Sequence, residues 1–191
     1  MKNFHAFPRL RAALPSLLST LALMATCLST ARAHVTLEWP AAFAGSGYKA
    51  SFQIGHGCNG SPTREVTIEI PAGVRGVKPM PRPGWSLAIE RAPLPRPETS
   101  HGQTVADEVA RVTWTANSPQ DVLQDAHFGE FVLRATLPAK DGALYWPVRQ
   151  ACVQGRHDWV QVPAPGANAK VLDAPAPRLD LMPAAGDGHA H

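Results

Sequence analysis

A histidine that follows a small-residue cleavage motif carries the most specific chemistry in this 191-residue sequence. The motif is Ala31-Arg32-Ala33, and His34 comes next, leading into Val35-Thr36-Leu37-Glu38-Trp39-Pro40. Cleavage after Ala33 makes His34 the first residue of the mature chain. Its free α-amine and its imidazole Nδ1 then close one chelate ring, a bidentate nitrogen donor for a transition metal. The amine must lose a proton, which its ordinary pKa of about 7.7 makes inexpensive once a metal competes. Divalent copper favours tetragonal nitrogen and oxygen ligands and heads the affinity series. One residue cannot hold a metal specifically, so a carboxylate or a second imidazole is expected to complete the set. The alternative is an ordinary surface histidine beside a cut site.

The other candidate donors are weaker. His56 sits beside Cys58 in the loop Gly55-His56-Gly57-Cys58-Asn59-Gly60-Ser61-Pro62. His127 is three residues before Glu130, too close for the same strand face. His189 and His191 end the chain and could collect a metal loosely. Met80 and Met182 are isolated, which argues against a methionine-rich Cu(I) carrier.

The segment before His34 has the three parts of an export signal. Lys2, Arg9 and Arg11 form the basic front, Leu14 to Leu28 is mostly apolar, and Ala31-x-Ala33 is the cleavage site. It lacks the run of about 20 apolar residues that a membrane span requires. Processing before Cys27, as in a lipoprotein, would leave His34 internal and destroy the amine donor. Export of a cleaved chain places the protein in the periplasm.

Cleavage also changes the charge. The whole sequence has 18 Lys and Arg against 15 Asp and Glu. Removing Lys2, Arg9, Arg11 and Arg32 leaves 14 against 15, a net charge of −1. No basic run or stacking-aromatic motif speaks for nucleic acid, and none is expected as a partner. Of the three cysteines, Cys27 lies in the signal, leaving Cys58 and Cys152. An even pair in an exported chain reads as one disulfide, contributing roughly 3–5 kcal/mol in the chain-entropy model. A pair of thiolate metal ligands is the alternative.

The residues after His34 read as strands. Val35, Leu37 and Trp39 alternate with polar residues, as do Tyr48 to Ile54, Val66 to Ile70 and Trp85 to Arg91. Gly73 to Gly84 is rich in Pro and Gly and reads as a connection. Pro93 to Thr104 reads as an exposed hairpin connection. The phase shift between Val109 and Val112 suggests a bulge. Asn117 to Ala126 is expected to be a loop with a short helical turn. Phe128 to Leu137, Leu144 to Cys152 and His157 to Val162 complete the set. Eight short strands without a long helix predict an antiparallel, immunoglobulin- or fibronectin-like β-sandwich over residues 34–162. From Pro163 to His191 the composition shifts to Pro, Ala and Gly, a tail that is weakly ordered or laid over the domain.

The mature domain resembles the YcnI-like copper-binding family. The resemblance rests on Ala33-His34-Val35-Thr36, Pro81-x-Pro83-Gly84-Trp85, Val112-Thr113-Trp114, Gly129-Glu130-Phe131, and Val148-Arg149-Gln150 through Gly155 to Trp159. It implies an exported single sandwich domain that binds one Cu(II) through a single-histidine brace. By motif, His34 and Glu130 would be the metal ligands and Trp159 would lie beside the metal. Where some relatives carry an aromatic, this chain has Cys152, which suggests a cysteine-bridged subgroup. Each residue also has a plainer role open to it: Glu130 as a solvated strand carboxylate, Trp159 as core packing. Trp85 and Trp114 read as core.

The function this implies is periplasmic Cu(II) binding for copper homeostasis or delivery, with a membrane copper transporter or another periplasmic copper protein as partner. A copper-dependent oxidative enzyme is the alternative, because N-terminal histidine braces also occur in copper monooxygenases. Those add a second histidine, whereas the matched third ligand here is a carboxylate. A non-enzymatic holder of copper is therefore expected. A third reading is an adhesion-type sandwich without metal, which fold alone does not separate from the others.

Overall fold

Apolar residues at every second position build two main sheets, and a third sheet has three strands. The structure is a computed structural model and describes residues 34–100, 102–164, 166 and 172–184. The export-signal expectation for residues 1–33 and the His189 and His191 tail lie outside the described residues. The described residues belong to one compact unit.

The first sheet has four strands in the order β1 (Thr36–Leu37), β3 (Gly47–Ile54), β8 (Gly129–Thr136) and β5 (Arg75–Pro79). On β3, Tyr48, Ala50, Phe52 and Ile54 are buried. On β8, Phe131, Leu133 and Ala135 are buried beside them, with Phe52 opposite Phe131 in register. The second sheet has five strands in the order β11 (Arg156–Trp159), β10 (Val148–Cys152), β4 (Thr63–Glu69), β7 (Gln103–Ala116) and β6 (Trp85–Ser100). It presents Val66, Ile68, Val112, Trp114 and Val148 to the core. Trp85 and Trp114 meet Phe131 edge-on, at 5.2 and 5.7 Å between ring centres, and so join the two sheets. The fold is an all-β sandwich, and among the described residues no helix occurs.

Several expectations change in detail. The Pro/Gly-rich stretch from Gly73 to Gly84 contains β5, which pairs with β8 across a register shift between Arg75 and Lys78. A bulge absorbs the irregular composition that masks the strand in the sequence. The hairpin expected around Pro93 to Thr104 is two long strands: β6 runs to Ser100 and pairs with β7 back to Gln103. The phase shift on β7 is a bulge. Glu90 faces Arg111 and Arg91 faces Val109, so Ala110 is the extra residue, and both Val109 and Val112 point inward. Asn117 to Ala126 is a loop of turns and bends, in which Asp121 N–H donates to the Ser118 carbonyl at 3.0 Å. Trp39 breaks the alternation of β1 and is 64% exposed, because the chain bends there ahead of Pro40.

The domain continues beyond residue 162. β12 (Arg178–Met182) lies between β2 (Ala41–Phe43) and β9 (Gly142–Tyr145), parallel to the first and antiparallel to the second. Leu179 and Leu181 enter the core, each stabilising the fold by about 1.5–3 kcal/mol. Ahead of them, Ala174 N–H donates to Gln161 Oε1 at 2.8 Å and Ala176 N–H to the Gln161 carbonyl at 2.9 Å. Part of the Pro/Ala-rich segment is thus a strand of the domain, held by two leucines that its composition obscures.

Candidate metal centre

His34 lies at the entry to β1, half-buried, with Val35 and Leu37 facing the core and Thr36 facing out. Its ring meets the edge of Trp159 at 5.2 Å between centres, inclined at 62°. Trp159 is the last residue of β11 and is 2% exposed. Its indole N–H donates to Gln150 Oε1 at 3.3 Å. Gln150 is a buried polar side chain on β10, and its amide also donates to the His56 carbonyl at 2.8 Å and to Thr63 Oγ1 at 2.7 Å. One glutamine therefore fixes the indole and the His56 loop together. Trp159 serves as core packing and as the wall against which His34 rests.

Glu130 stands in one row with Gln53 and Thr36 across β8, β3 and β1. Its neighbour Phe131 points inward, so the carboxylate lies on the outer face of the sheet, half-buried. Gln53 Nε2 donates to Glu130 Oε1 at 3.3 Å, and Thr36 Oγ1 donates to Gln53 Oε1 at 3.4 Å. Glu130 is thus joined to the His34 strand through Gln53. On the inner side Arg82 holds the Glu130 backbone, donating from Nη1 to its carbonyl at 3.0 Å. The Arg82 guanidinium packs on the rings of Phe131 and Trp85 at 5.0 and 5.5 Å, and burial lowers its pKa.

Among the described residues no group of three or more His, Cys, Asp or Glu is close enough to hold a metal ion. In the unprocessed chain the His34 nitrogen is an amide, and the α-amine donor arises only on cleavage after Ala33. The residues present then offer two nitrogens from His34 and one carboxylate reached through Gln53, a set that suits Cu(II) in donor type. A cleft of about 490 Å³ opens beside His34, walled by Leu37, Tyr145, Pro175 and Arg178 among others. It gives the imidazole an approach from solvent.

The structure adds His157, which the sequence analysis did not single out. It is two residues before Trp159 on β11, and its ring lies 5.1 Å from that indole. The ring of His56 lies 6.2 Å from His157, nearly perpendicular to it. His157 sits opposite Gln150 in the ladder, and the His-x-Trp spacing on a strand was the available signal. His127 is exposed. The Cys58–Cys152 disulfide forms, with Cα atoms 5.9 Å apart, and ties the His56 loop to β10. Gly57 in that loop is obligatory, since a Cβ there would lie 1.9 Å from the Ser61 carbonyl oxygen.

Comparison with known proteins agrees with this architecture. The crystal structure of an uncharacterized protein from Nocardia farcinica, described as revealing an immunoglobulin-like fold, is similar to this chain with a TM-score of 0.60 at 26% identity. The match covers 78% of this chain and 98% of that one. No curated protein matches the chain. The family described as Domain of unknown function (DUF1775), which includes the YcnI-like proteins, matches residues 34–181. That match begins at His34 and ends within β12, and by it the chain belongs to the DUF1775 family.

Proposed function

We propose that the exported chain binds one Cu(II) as cargo, in the periplasm, for copper homeostasis or delivery. The observation that carries this reading is the placement of His34. It directly follows the Ala-x-Ala motif, opens the family match and rests edge-on against a buried tryptophan at 5.2 Å. A cleaved terminus there gives an amine and an imidazole on one rigid strand. Glu130, an anionic oxygen on the outer face of the same sheet, supplies the third donor once Gln53 yields its hydrogen bond. Two nitrogens and a carboxylate favour the oxidised ion. Trp159 closes one side of His34 with apolar surface, which limits the approach of oxidants and suits holding over turnover. Delivery would be to a membrane copper transporter or another periplasmic copper protein.

The test compares protein beginning at His34 with protein carrying one extra residue before it. The extra residue turns the amine into an amide. Cu(II) affinity should fall by about 100-fold or more, since even second-shell losses cost about 10–100-fold. Melting temperature should stay unchanged, and Glu130→Ala should weaken binding and alter the EPR parameters. Equal Cu(II) affinity in the extended protein overturns the reading.

A further inference from the structure

We propose that the outer face of the four-stranded sheet docks an acidic protein partner, whose carboxylates meet a row of three cations, Lys49, Arg134 and Lys78. The ladder sets this row. Lys49 of β3 stands opposite Arg134 of β8, and Arg134 stands opposite Lys78 of β5. Ala50, Leu133 and Val77, one position away on each strand, are buried in the core. The three cations therefore share the solvent face, and all three are exposed. Neighbouring strands are about 4.8 Å apart, so the row is about 10 Å across.

Like charges directly opposite one another in a ladder are destabilising, and the five-stranded sheet avoids them. There Arg111 lies between Glu90 and Glu69, at 2.8 and 3.6 Å, and Glu69 also pairs with Arg149. Cations and acids alternate across those strands. On the four-stranded sheet, none of the three cations is paired with a carboxylate among the described residues. The acids nearest in the ladder stand apart from the row. Glu130 accepts from Gln53, Glu108 accepts from the Gly76 N–H, and Glu38 lies at the β1 margin, its N–H donating to the Ser51 carbonyl. The chain from His34 onward has 14 Lys and Arg against 15 Asp and Glu, so the row is a local positive feature on a nearly neutral protein. Such a patch steers and orients a partner of opposite charge.

Shape and neighbours favour a protein surface as the occupant. A cleft of about 230 Å³ opens at the row, lined by Lys78, Arg134 and Thr136, while Gly47 and Gly76 add no side chain to it. It has room for a carboxylate side chain. The Arg134 fork can donate two parallel hydrogen bonds to that group, with Lys78 as a point charge and Thr136 as a hydroxyl donor. Met80 N–H donates to the Val132 carbonyl, which sets Met80 beside the row, and its side chain is 53% exposed. Met and Arg are both enriched in protein interfaces. Peripheral membrane binding adds inserted apolar surface to charge, whereas the ladder positions flanking the row on β3 and β8 are Ser51, Val132, Gly47 and Thr136. The same face carries Glu130, four residues before Arg134 on β8 and so about 14 Å along the strand. A partner held on the row lies close to that carboxylate. Its use in copper transfer rests on the copper-cargo reading, and the docking itself does not.

A hexaglutamate peptide serves as the probe. The metal-free, ¹⁵N-labelled chain from His34 onward, disulfide intact, is titrated with it at low ionic strength while backbone amide shifts are followed. The shifts should cluster at Lys49, Lys78, Arg134 and their ladder neighbours, and should shrink as salt is added. Arg134→Gln should weaken peptide binding by about 3-fold, and Arg134→Gln with Lys78→Gln by about 10-fold. The melting temperature of both should hold or rise, because like charges are removed. Arg149→Gln, on the neutralised face, should bind the peptide as the parent does. Shifts that fall elsewhere, or peptide binding that the double variant retains in full, overturn the proposal. Vesicles of equal parts phosphatidylglycerol and phosphatidylcholine form the second arm. Vesicle binding that the double variant loses, with peptide binding unaltered by it, overturns the protein partner and assigns the row to a membrane surface. The protein with an extra residue before His34 should lose tight Cu(II) binding and keep the peptide response, so that failure of the brace and failure of the docking face are read separately.

Discussion

The two edges of the five-stranded sheet solve the problem of an open strand in different ways. The β6 edge is long, from Trp85 to Ser100, and is broken by Pro93, Pro95 and Pro97 and crowded with charge. Arg91 pairs with Asp107, Arg111 with Glu90, and Arg75 of β5 with Glu98. Prolines and charges remove the free donors and the flat apolar surface through which an edge would pair with another chain. The β11 edge is four residues long and carries His157 and Trp159. It is kept short and is pinned from beneath by Gln150 and the disulfide. One edge is built to repel pairing, whereas the other holds an imidazole and an indole side by side. The difference teaches where rigidity is spent: on buried hydrogen bonds and a covalent bridge at β11, and on exposed ion pairs at β6.

The sharpest way to break this contrast is to cut the bridge. Cys58→Ser with Cys152→Ser removes a cross-link spanning 94 residues. The chain-entropy model puts the loss at about 4–5 kcal/mol. The denaturant midpoint should fall accordingly, and the His56 loop should become the first segment to exchange its amide hydrogens. An unchanged midpoint would mean that Gln150 and the β10 ladder alone fix that edge.

Much of this arrangement was legible in the sequence. The period-2 runs placed β3, β4 and β8 with the correct face inward, and the conflict between Val109 and Val112 located the Ala110 bulge. Cys58 and Cys152 are the two cysteines beyond residue 33, and that even pair sufficed to expect the bridge. What the sequence hid was hidden for physical reasons. β5 and β12 lie in stretches where Pro and Gly swamp the two or three apolar residues that define the strand. A strand this short gains its stability from neighbours far away in sequence, such as Phe43 and Leu144 beside β12. His157 was passed over because its partner His56 is 101 positions earlier, and only the β10–β11 ladder and the bridge bring them together. Glu130 shows the opposite limit: alternation placed it on the outer face, but not its bond to Gln53.

A smaller effect follows from Gln150. Its buried side chain satisfies the His56 carbonyl, Thr63 Oγ1 and Trp159 Nε1. Gln150→Ala leaves these groups unpaired in the interior, at about 2–3 kcal/mol. The indole, released from its acceptor, should shift its fluorescence. A loss of stability with no spectral change would confine Gln150 to packing and remove its part in positioning the β11 edge.

The smallest effect belongs to the opposite edge, at Arg91. Its guanidinium donates from Nε to Asp107 Oδ1 at 2.6 Å and from Nη2 to the Asp107 carbonyl at 2.9 Å. Both side chains are about half exposed, at 50% and 53%. Water and salt screen such a pair, and ordering two side chains offsets much of the attraction. Arg91→Ala should therefore change stability by no more than about 0.5 kcal/mol. The hairpin arm beyond it retains the Arg75 contact to Glu98, made through Nε at 3.1 Å and Nη2 at 2.9 Å, and the Gly76 N–H to Glu108. Cu(II) binding should match the parent, since Arg91 pairs with Asp107 on β7. If thermal unfolding instead drops by more than about 1.5 kcal/mol, well above what an exposed pair supplies, the arm folds cooperatively with the core. The β6 edge would then contribute to stability as the β11 edge does, and the distinction between an edge that repels and an edge that positions would fail at this strand.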